Sequence, residues 1–264
     1  MNRYVIIVAG GKGLRMGGDL PKQFIPMRGK PLLMHTLEAF HRWDAATRIV
    51  LVLPEDHRPY WEMLCREIGC KVPHAIVKGG DTRFHSVKSG LEWVLTNADE
   101  HGVNDSLVAI HDGVRPFVTP EVITACFDQA AATGAAIPVL PMIDSIREIG
   151  DTGDSHPVDR SRYVSVQTPQ VFALNLLARA YQQPCTPRFT DDASVVESLG
   201  HPVTTVPGNR ENIKITTPLD LLIAQAIFEN KEQDMHPKII LSPERRFDAV
   251  IVNSPDLFDK TEQP

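Results

Sequence analysis

Tyr4-Val5-Ile6-Ile7-Val8-Ala9-Gly10-Gly11-Lys12-Gly13 runs from an unbroken apolar, largely β-branched segment straight into a cluster of glycines. An apolar run without polar alternation reads as a strand buried on both faces, and the glycines read as a tight turn at its carboxyl end. Strands of that kind belong to parallel sheets covered by helices on both sides. Working outward, apolar runs at 49–53, 107–110 and 135–140 alternate with amphipathic stretches at 31–43, 60–68, 85–95 and 119–132, so strand and helix alternate and a mostly parallel sheet is expected. Thr119-Pro120 and Thr217-Pro218 each offer a capping hydroxyl followed by proline at the first helical position.

From 141 to 170 the pattern changes. Asp144, Gly150, Asp151, Gly153, Asp154, Pro157 and Asp159 interrupt any helix, and the segment reads as an arm or hairpin whose returning strand is the alternating stretch 162–166. An arm with so little core needs something to lean on, and a second subunit is one candidate. Past Phe228 the chain turns polar and reads as a terminal extension rather than an added strand.

Composition narrows the function. The 264 residues carry 27 Lys and Arg against 33 Asp and Glu, a formal net charge of −6, so the chain lacks the basic field that holds nucleic acid or an anionic membrane. Any anionic ligand must be met by locally gathered cations. No apolar run approaches the ~20 residues of a membrane span, and the start lacks a charged segment followed by an apolar stretch and cleavage site, so a cytoplasmic protein is expected. Cys65, Cys70, Cys126 and Cys185 contain no C-x-x-C and read as reduced structural thiols. With neither H-E-x-x-H nor G-x-S-x-G present, zinc, redox and serine-hydrolase chemistry have nothing to rest on.

The glycine turn matches neither familiar phosphate loop: Met16 occupies the third glycine of G-x-G-x-x-G, and no Gly-Lys is followed by Ser or Thr. What remains is a turn whose backbone N–H groups can approach phosphates, with Lys12, Arg15 and Lys22 gathered around it in an acidic protein. A solvated surface loop with incidental charge is the plain alternative. Glycines placed directly after a strand, together with clustered cations, favour phosphate binding.

The stretch from Ala9 to Met16, followed by Pro21-Lys22-Gln23, resembles the signature of transferases that couple a nucleoside triphosphate to a phosphorylated small molecule. Gly79-Gly80-Asp81-Thr82-Arg83-Phe84-His85-Ser86-Val87, His111-Asp112-Gly113-Val114-Arg115-Pro116, Val158-Asp159-Arg160, Thr168-Pro169-Gln170, Thr190-Asp191-Asp192-Ala193-Ser194 and Asn212-Ile213-Lys214-Ile215-Thr216 resemble, in order, the motifs of the methylerythritol phosphate cytidylyltransferase family. The resemblance spans about 5 to 227. It implies an α/β, Rossmann-like fold: a mostly parallel twisted sheet flanked by helices, with a projecting β-arm used in dimerisation. A nucleotidyltransferase domain over 1–230, with the arm at about 141–170, would be followed by a C-terminal extension at 231–264.

The resemblance further implies that CTP and a polyol phosphate react in non-mevalonate isoprenoid synthesis, with Mg²⁺ gathering the triphosphate and a homodimer completing each site. Arg15 and Lys22 would stabilise the α-phosphate and the departing pyrophosphate, while Lys214 and Arg160 hold the acceptor, Arg160 coming from the partner's arm. Ala9, Gly10, Gly11 and Gly13 would form the phosphate turn. Gly80, Asp81, Arg83 and Ser86 correspond to the cytosine pocket, and Asp112, Arg115, Ser145 and Thr168 to further substrate contacts. Asp112 could meet ribose, metal-bound water or the acceptor; a turn-forming Asp-Gly pair with a nearby counter-ion is its plain reading. Metal ligands stay unassigned. The chain departs from the family pattern in Gly113-Val114, where two alanines are usual, in Ser145, where threonine is usual, and in its longer tail. A different polyol phosphate, such as ribitol phosphate, would use the same nucleotide motifs, and a non-catalytic nucleotide-binding module could share the fold.

Overall fold

The computed structural model describes residues 1–11, 20–98 and 102–232. The opening apolar run is the heart of β1 (Asn2–Val8), and after the glycine turn come a 3₁₀ turn at Lys22–Phe24 and the small hairpin of β2 (Pro26–Met27) and β3 (Lys30–Pro31). Arg28 and Gly29 both take positive φ there, as a two-residue hairpin loop requires. Next, α1 (Leu32–Trp43), β4 (Arg48–Leu53), α2 (Arg58–Ile68), β5 (His74–Lys78), α3 (Arg83–Asn97), β6 (Ser106–Asp112) and α4 (Pro120–Thr133) alternate as the sequence pattern requires.

The helix starts follow their sequence signals. Thr82 caps α3 by accepting from the His85 N–H, and Thr119 caps α4 in the same way with Pro120 at the first helical position. Gly134, at φ 87°, ends α4 in the left-handed conformation that costs glycine little. The chain then forms β7 (Ala135–Pro141), a hairpin of β8 (Arg147–Ile149) and β9 (Ser155–Pro157), β10 (Val164–Val166), β11 (Gln170–Ala173), α5 (Leu174–Ala180), α6 (Asp192–Glu197), β12 (Thr204–Pro207) and α7 (Pro218–Glu232). Thr217 accepts from the Asp220 N–H at the start of α7, the second cap expected from sequence.

The main sheet runs β10-β7-β11-β6-β1-β4-β5, with β12 also paired to β7. Strands β6, β1, β4 and β5 are parallel, and Val8 stands level with Val52 on one side and Asp112 on the other. Their carboxyl ends therefore open on a common edge, where open α/β sheets bind ligands. The opposite flank is mixed: β11 lies antiparallel to β6 and β7, and β10 antiparallel to β7.

The alternation of β1 divides the core. Val5 and Ile7 pack with Leu37, Phe40, Trp61 and Phe127 under α1, α2 and α4, while Tyr4 and Ile6 pack with Val87, Leu91, Leu177 and Tyr181 beneath α3 and α5. Each fully buried side chain of this size contributes about 1.5–3 kcal/mol, so β1 is held from both faces. On α3 the backbone comes close: a Cβ on Gly90 would sit 2.6 Å from Ile6 Cγ2, so a larger residue would push helix and sheet apart. A third cluster joins Leu32, Val114, Phe117, Ile215 and Ala224, seating the amino-terminal part of α7.

Within the expected arm, the hairpin of β8 and β9 pairs with no strand of the main sheet among the described residues and exposes Ile149. Strand β10 instead returns to pair with β7, so the part standing off the sheet is 142–163 and not the whole of 141–170; Tyr163 and Val164 are exposed where the chain returns. Residues Met1–Phe228 form one compact unit. The extension expected beyond 230 lies outside the described residues after 232. Among the described residues no helix is long and apolar enough to cross a membrane.

Candidate active site

The carboxyl edge of β1, β5 and β6 opens into a cleft of about 270 Å³. Ala9, Gly10 and Gly11 form one wall, Gly80, Asp81, Arg83 and Ser86 another, and Lys22, Asp112 and Lys214 complete it. Ten of the residues singled out from sequence thus meet in one place, although they are drawn from points more than 200 positions apart in the chain. Gln23, Thr82 and Val114 also line the cleft. Arg15 and Gly13 lie outside the described residues, as does Lys12.

Close packing shapes the walls. Ala9 N–H donates to Val52 O (3.0 Å), Gly79 N–H to Leu53 O (2.7 Å) and Gly113 N–H to Val8 O (2.9 Å), so each loop is tied to a neighbouring strand end. The Ser86 hydroxyl takes the Gly80 N–H and donates back to the Gly80 carbonyl, both at 3.2 Å. A Cβ on Gly80 would fall 2.4 Å from that of His85, which explains the glycine at this point. Gly113 is similarly enclosed, with 2.9 Å from its missing Cβ to that of Ala9, so the departure from alanine there lets the two turns close on each other. Gln23, almost wholly buried, donates through Nε2 to the Ala9 carbonyl (2.9 Å) and contacts His57 Nδ1 (3.2 Å), fixing the Lys22 turn to the start of the glycine wall.

Charge is organised around Asp112. Its Oδ2 accepts from Arg115 Nε and pairs with Lys214 Nζ, each at 3.1 Å. Burial pushes the carboxyl up, but Lys214, Arg83 and Arg115 outweigh it and hold the group well below the usual carboxylate range. Arg115 is not at the cleft surface: it reaches behind Asp112 to the Asn212 carbonyl (2.7 Å) and so links β6 to the loop carrying Lys214. Arg83 is held by Asp192, which accepts both ends of its guanidinium at 2.9 and 2.6 Å and also the Tyr181 hydroxyl at 2.5 Å. Such a bidentate pair fixes the plane of the guanidinium while part of it still faces the cleft.

Besides Arg115, three expected substrate contacts stand elsewhere. Thr168 is buried and does not line the cleft; its Oγ accepts the Asp112 N–H (3.1 Å) and faces His111 Nδ1 (3.0 Å). Its hydroxyl is consumed in holding Asp112, because β11 runs antiparallel beside β6 and brings 168 against the strand end. Ser145 and Arg160 are exposed on the arm and do not line this chain's cleft. Arg160 there hydrogen-bonds the Ile143 carbonyl.

His111 is fully enclosed. Its Nε2 donates to the Arg115 carbonyl (3.0 Å), so Nδ1 is the acceptor of the Thr168 hydroxyl and the ring is neutral. Burial lowers its pKa to about 4. As pH falls from the ordinary value of 6.5 towards 4, the unfolded chain takes up this proton and the folded chain does not, so stability is lost across that window. The contribution of Asp112, whose folded value is depressed, disappears only at lower pH. Urea unfolding at pH 7.5 and pH 4.5 is expected to show a loss roughly 2–3 kcal/mol larger than in His111→Asn, where His35 and His74, also lowered by burial, still contribute; equal losses in the two proteins would refute the assignment.

Among the described residues, no group of three or more His, Cys, Asp or Glu side chains could hold a metal ion. The carboxylates on the cleft wall are Asp81 and Asp112. That donor set fits a hard divalent ion carried mainly by substrate phosphates and water, the usual habit of Mg²⁺.

The comparisons with known proteins agree with this geometry. The family described as 2-C-methyl-D-erythritol 4-phosphate cytidylyltransferase matches residues 4–230. A protein of that name from Bacteroides fragilis is 56% identical over 227 residues, covering 86% of this chain and 100% of its own length. The crystal structure of 2-C-methyl-D-erythritol 4-phosphate cytidylyltransferase from Thermus thermophilus is similar at 30% identity with a TM-score of 0.65, covering 87% of this chain and 100% of that one. The 4-diphosphocytidyl-2C-methyl-D-erythritol synthase structure from Anaerococcus prevotii gives 28% identity and a TM-score of 0.72, covering 86% of this chain and 96% of that one.

Proposed function

The chain belongs to the 2-C-methyl-D-erythritol 4-phosphate cytidylyltransferase family, and we propose that the cleft at the carboxyl edge of its sheet is where its reaction takes place. The protein is a cytidylyltransferase: it couples CTP to 2-C-methyl-D-erythritol 4-phosphate, giving 4-diphosphocytidyl-2-C-methyl-D-erythritol and pyrophosphate. The observation that carries the site is the convergence of the glycine wall, Lys22, Arg83, Asp112 and Lys214 on one cavity.

The chemistry asks little of the protein beyond placement and charge. A phosphate monoester is already a nucleophile near neutral pH, so direct attack of an acceptor oxygen on the α-phosphorus, with pyrophosphate leaving, needs no covalent intermediate. Backbone N–H groups of the glycine wall receive phosphate oxygens. Lys22 and Arg15 meet the negative charge that grows on the α-phosphate and leaving group, where fixed cations are worth most. Gly80, Asp81 and Ser86 form the base pocket, with Arg83 held at its rim by Asp192. Lys214, steered by Asp112, receives the acceptor phosphate, while Arg115 and Thr168 act from behind by fixing Asp112. When bound, Mg²⁺ would neutralise triphosphate charge, and Asp81 and Asp112 are the carboxylates of the cleft wall that would hold it.

Arg160 and Ser145, exposed on the arm and not lining their own cleft, would join the acceptor site of a second copy. The arm also exposes Ile149, Tyr163 and Val164, apolar surface that a second subunit would cover. A homodimer joined through its arms, a transferase domain over 1–230 with an added extension, and a cytoplasmic location complete the reading.

The purified protein with CTP and Mg²⁺ is expected to release pyrophosphate with 2-C-methyl-D-erythritol 4-phosphate and at least ten times more slowly with ribitol 5-phosphate, unpaired polar groups being the source of such discrimination. Equal turnover of both acceptors, or CTP binding without turnover of either, would overturn the assignment.

A further inference from the structure

We propose that Cys65 and Cys70 form a redox-reactive dithiol at the C-terminal cap of α2, oxidised to an intrachain disulfide and restored by thiol exchange. The pairing follows from how the helix ends. Gly69 takes the left-handed conformation (φ 74°), and the Cys70 N–H turns back to donate to the Cys65 carbonyl at 2.8 Å. In a helix stop of this type the residue after the glycine and the one five positions earlier bring their side chains together. Both positions are cysteine, so the helix stop sets the two thiols beside each other, close enough for each to shift the other's pKa. Their spacing of five differs from C-x-x-C because the contact depends on the helix stop and not on a short loop.

The microenvironment distinguishes the two sulfurs. The Cys65 S–H and the Val72 N–H both donate towards Cys70 and lower its pKa, whereas the same contact together with burial raises that of Cys65. Glu62 faces Cys65, and Glu38 and Lys30 face Cys70. Cys70 is thus the thiolate and Cys65 the proton-bearing partner, both only half-buried and within reach of a small oxidant. With a low-molecular-weight disulfide, Cys70 sulfur attacks one sulfur and expels a free thiolate. Cys65 sulfur then displaces the second thiolate from the mixed disulfide, its proton leaving with that group. Two protein thiols are oxidised, one disulfide is reduced to two small thiols, and the exchange runs backwards in excess thiol.

The site is mechanically connected to Lys22. Trp61 lies one turn before Cys65 on α2 and stacks on Phe24 (6.2 Å between centroids, 17° between planes), which belongs to the Lys22 turn. A sulfur–sulfur bond of about 2.05 Å is much shorter than a thiol–thiol hydrogen bond, so bridging draws the end of α2 inward and shifts the Trp61 face against Phe24.

The test uses the full chain equilibrated in glutathione buffers of increasing oxidised fraction, followed by trypsin digestion. Cleavage after Arg66 and Lys71, with Arg58-Pro59 left intact, separates the two cysteines into peptides 49–66 and 67–71. The expected product is these two peptides joined by a disulfide, two hydrogen atoms lighter than the reduced pair, absent in Cys70→Ser. Turnover is expected to fall at least threefold on oxidation, to recover with reductant and to be unaffected by oxidant in Cys70→Ser. Thiols that stay reduced, or modification confined to the exposed Cys185, would overturn the proposal. A cross-link without change in turnover would overturn the connection to Lys22. The turnover arm rests on the proposed active site, whereas the peptide cross-link is read independently of it.

Discussion

Lys22→Ala is expected to lower kcat by about 10²- to 10³-fold, the usual cost of removing one preorganised group that meets charge developing in a transition state. The position of the side chain is the reason. Lys22 starts a three-residue 3₁₀ turn whose next residue, Gln23, is clamped to the Ala9 carbonyl, so the turn cannot drift from the glycine wall. The aliphatic stem lies against Gly11, where a Cβ would stand 3.1 Å from Lys22 Cε. The ammonium is therefore delivered to the edge on which a triphosphate would rest. A group acting mainly in the transition state affects kcat more than KM, so the KM for CTP is expected to change by no more than about threefold. Unfolding in urea, read beside turnover, reports how much of the loss belongs to the fold, and a variant that stays folded at the assay temperature is expected. Pyrophosphate release measured beside the unfolding midpoint separates the two effects. A variant that keeps kcat within threefold would remove Lys22 from the reacting centre.

Much of this site was legible from residue order, and what was not has a common physical cause. Strand β1, its glycine turn and the capped helices α4 and α7 depend on local chemistry, so apolar runs and Thr-Pro pairs announce them. The roles of Arg115 and Thr168 depend instead on partners brought in by tertiary pairing. By resemblance Arg115 is a substrate contact, yet its guanidinium is engaged by Asp112 and the Asn212 carbonyl. Thr168 reads as a substrate contact, but antiparallel β11 sets its hydroxyl between the Asp112 N–H and His111. No periodicity signals that strand, nor the short elements β5, α5, α6 and β12, whose few residues carry too little pattern to register. Asp192 and Gln23 stood inside quoted motifs without a role. The signal that could have found them is the need of a buried guanidinium for a carboxylate, and of a turn bearing a functional lysine for an anchor.

Arg160→Ala is expected to reduce turnover at least as strongly as Lys22→Ala, and mixing the two inactive proteins should restore activity. Arg160 stands on the arm and does not line the cleft of its own chain, so in the proposed dimer it would act on the other copy. In a dimer joined through its arms, a mixed dimer has one site with both residues intact, Lys22 from one chain and Arg160 from the other. The second site lacks both. Random reassortment of equal amounts places half the dimers in this mixed form, with one working site of two, so about a quarter of wild-type activity should return. Each variant alone remains silent, and sedimentation at the assay concentration verifies the dimer. Deleting the arm between Asp144 and Ser165 should remove turnover while CTP binding, measured by calorimetry, persists, because Gly10, Gly80 and Lys22 belong to the body. Recovery demands that the two residues act across subunits: if Arg160 served its own chain, every mixed dimer would hold one site lacking Lys22 and one lacking Arg160, and mixing would restore nothing.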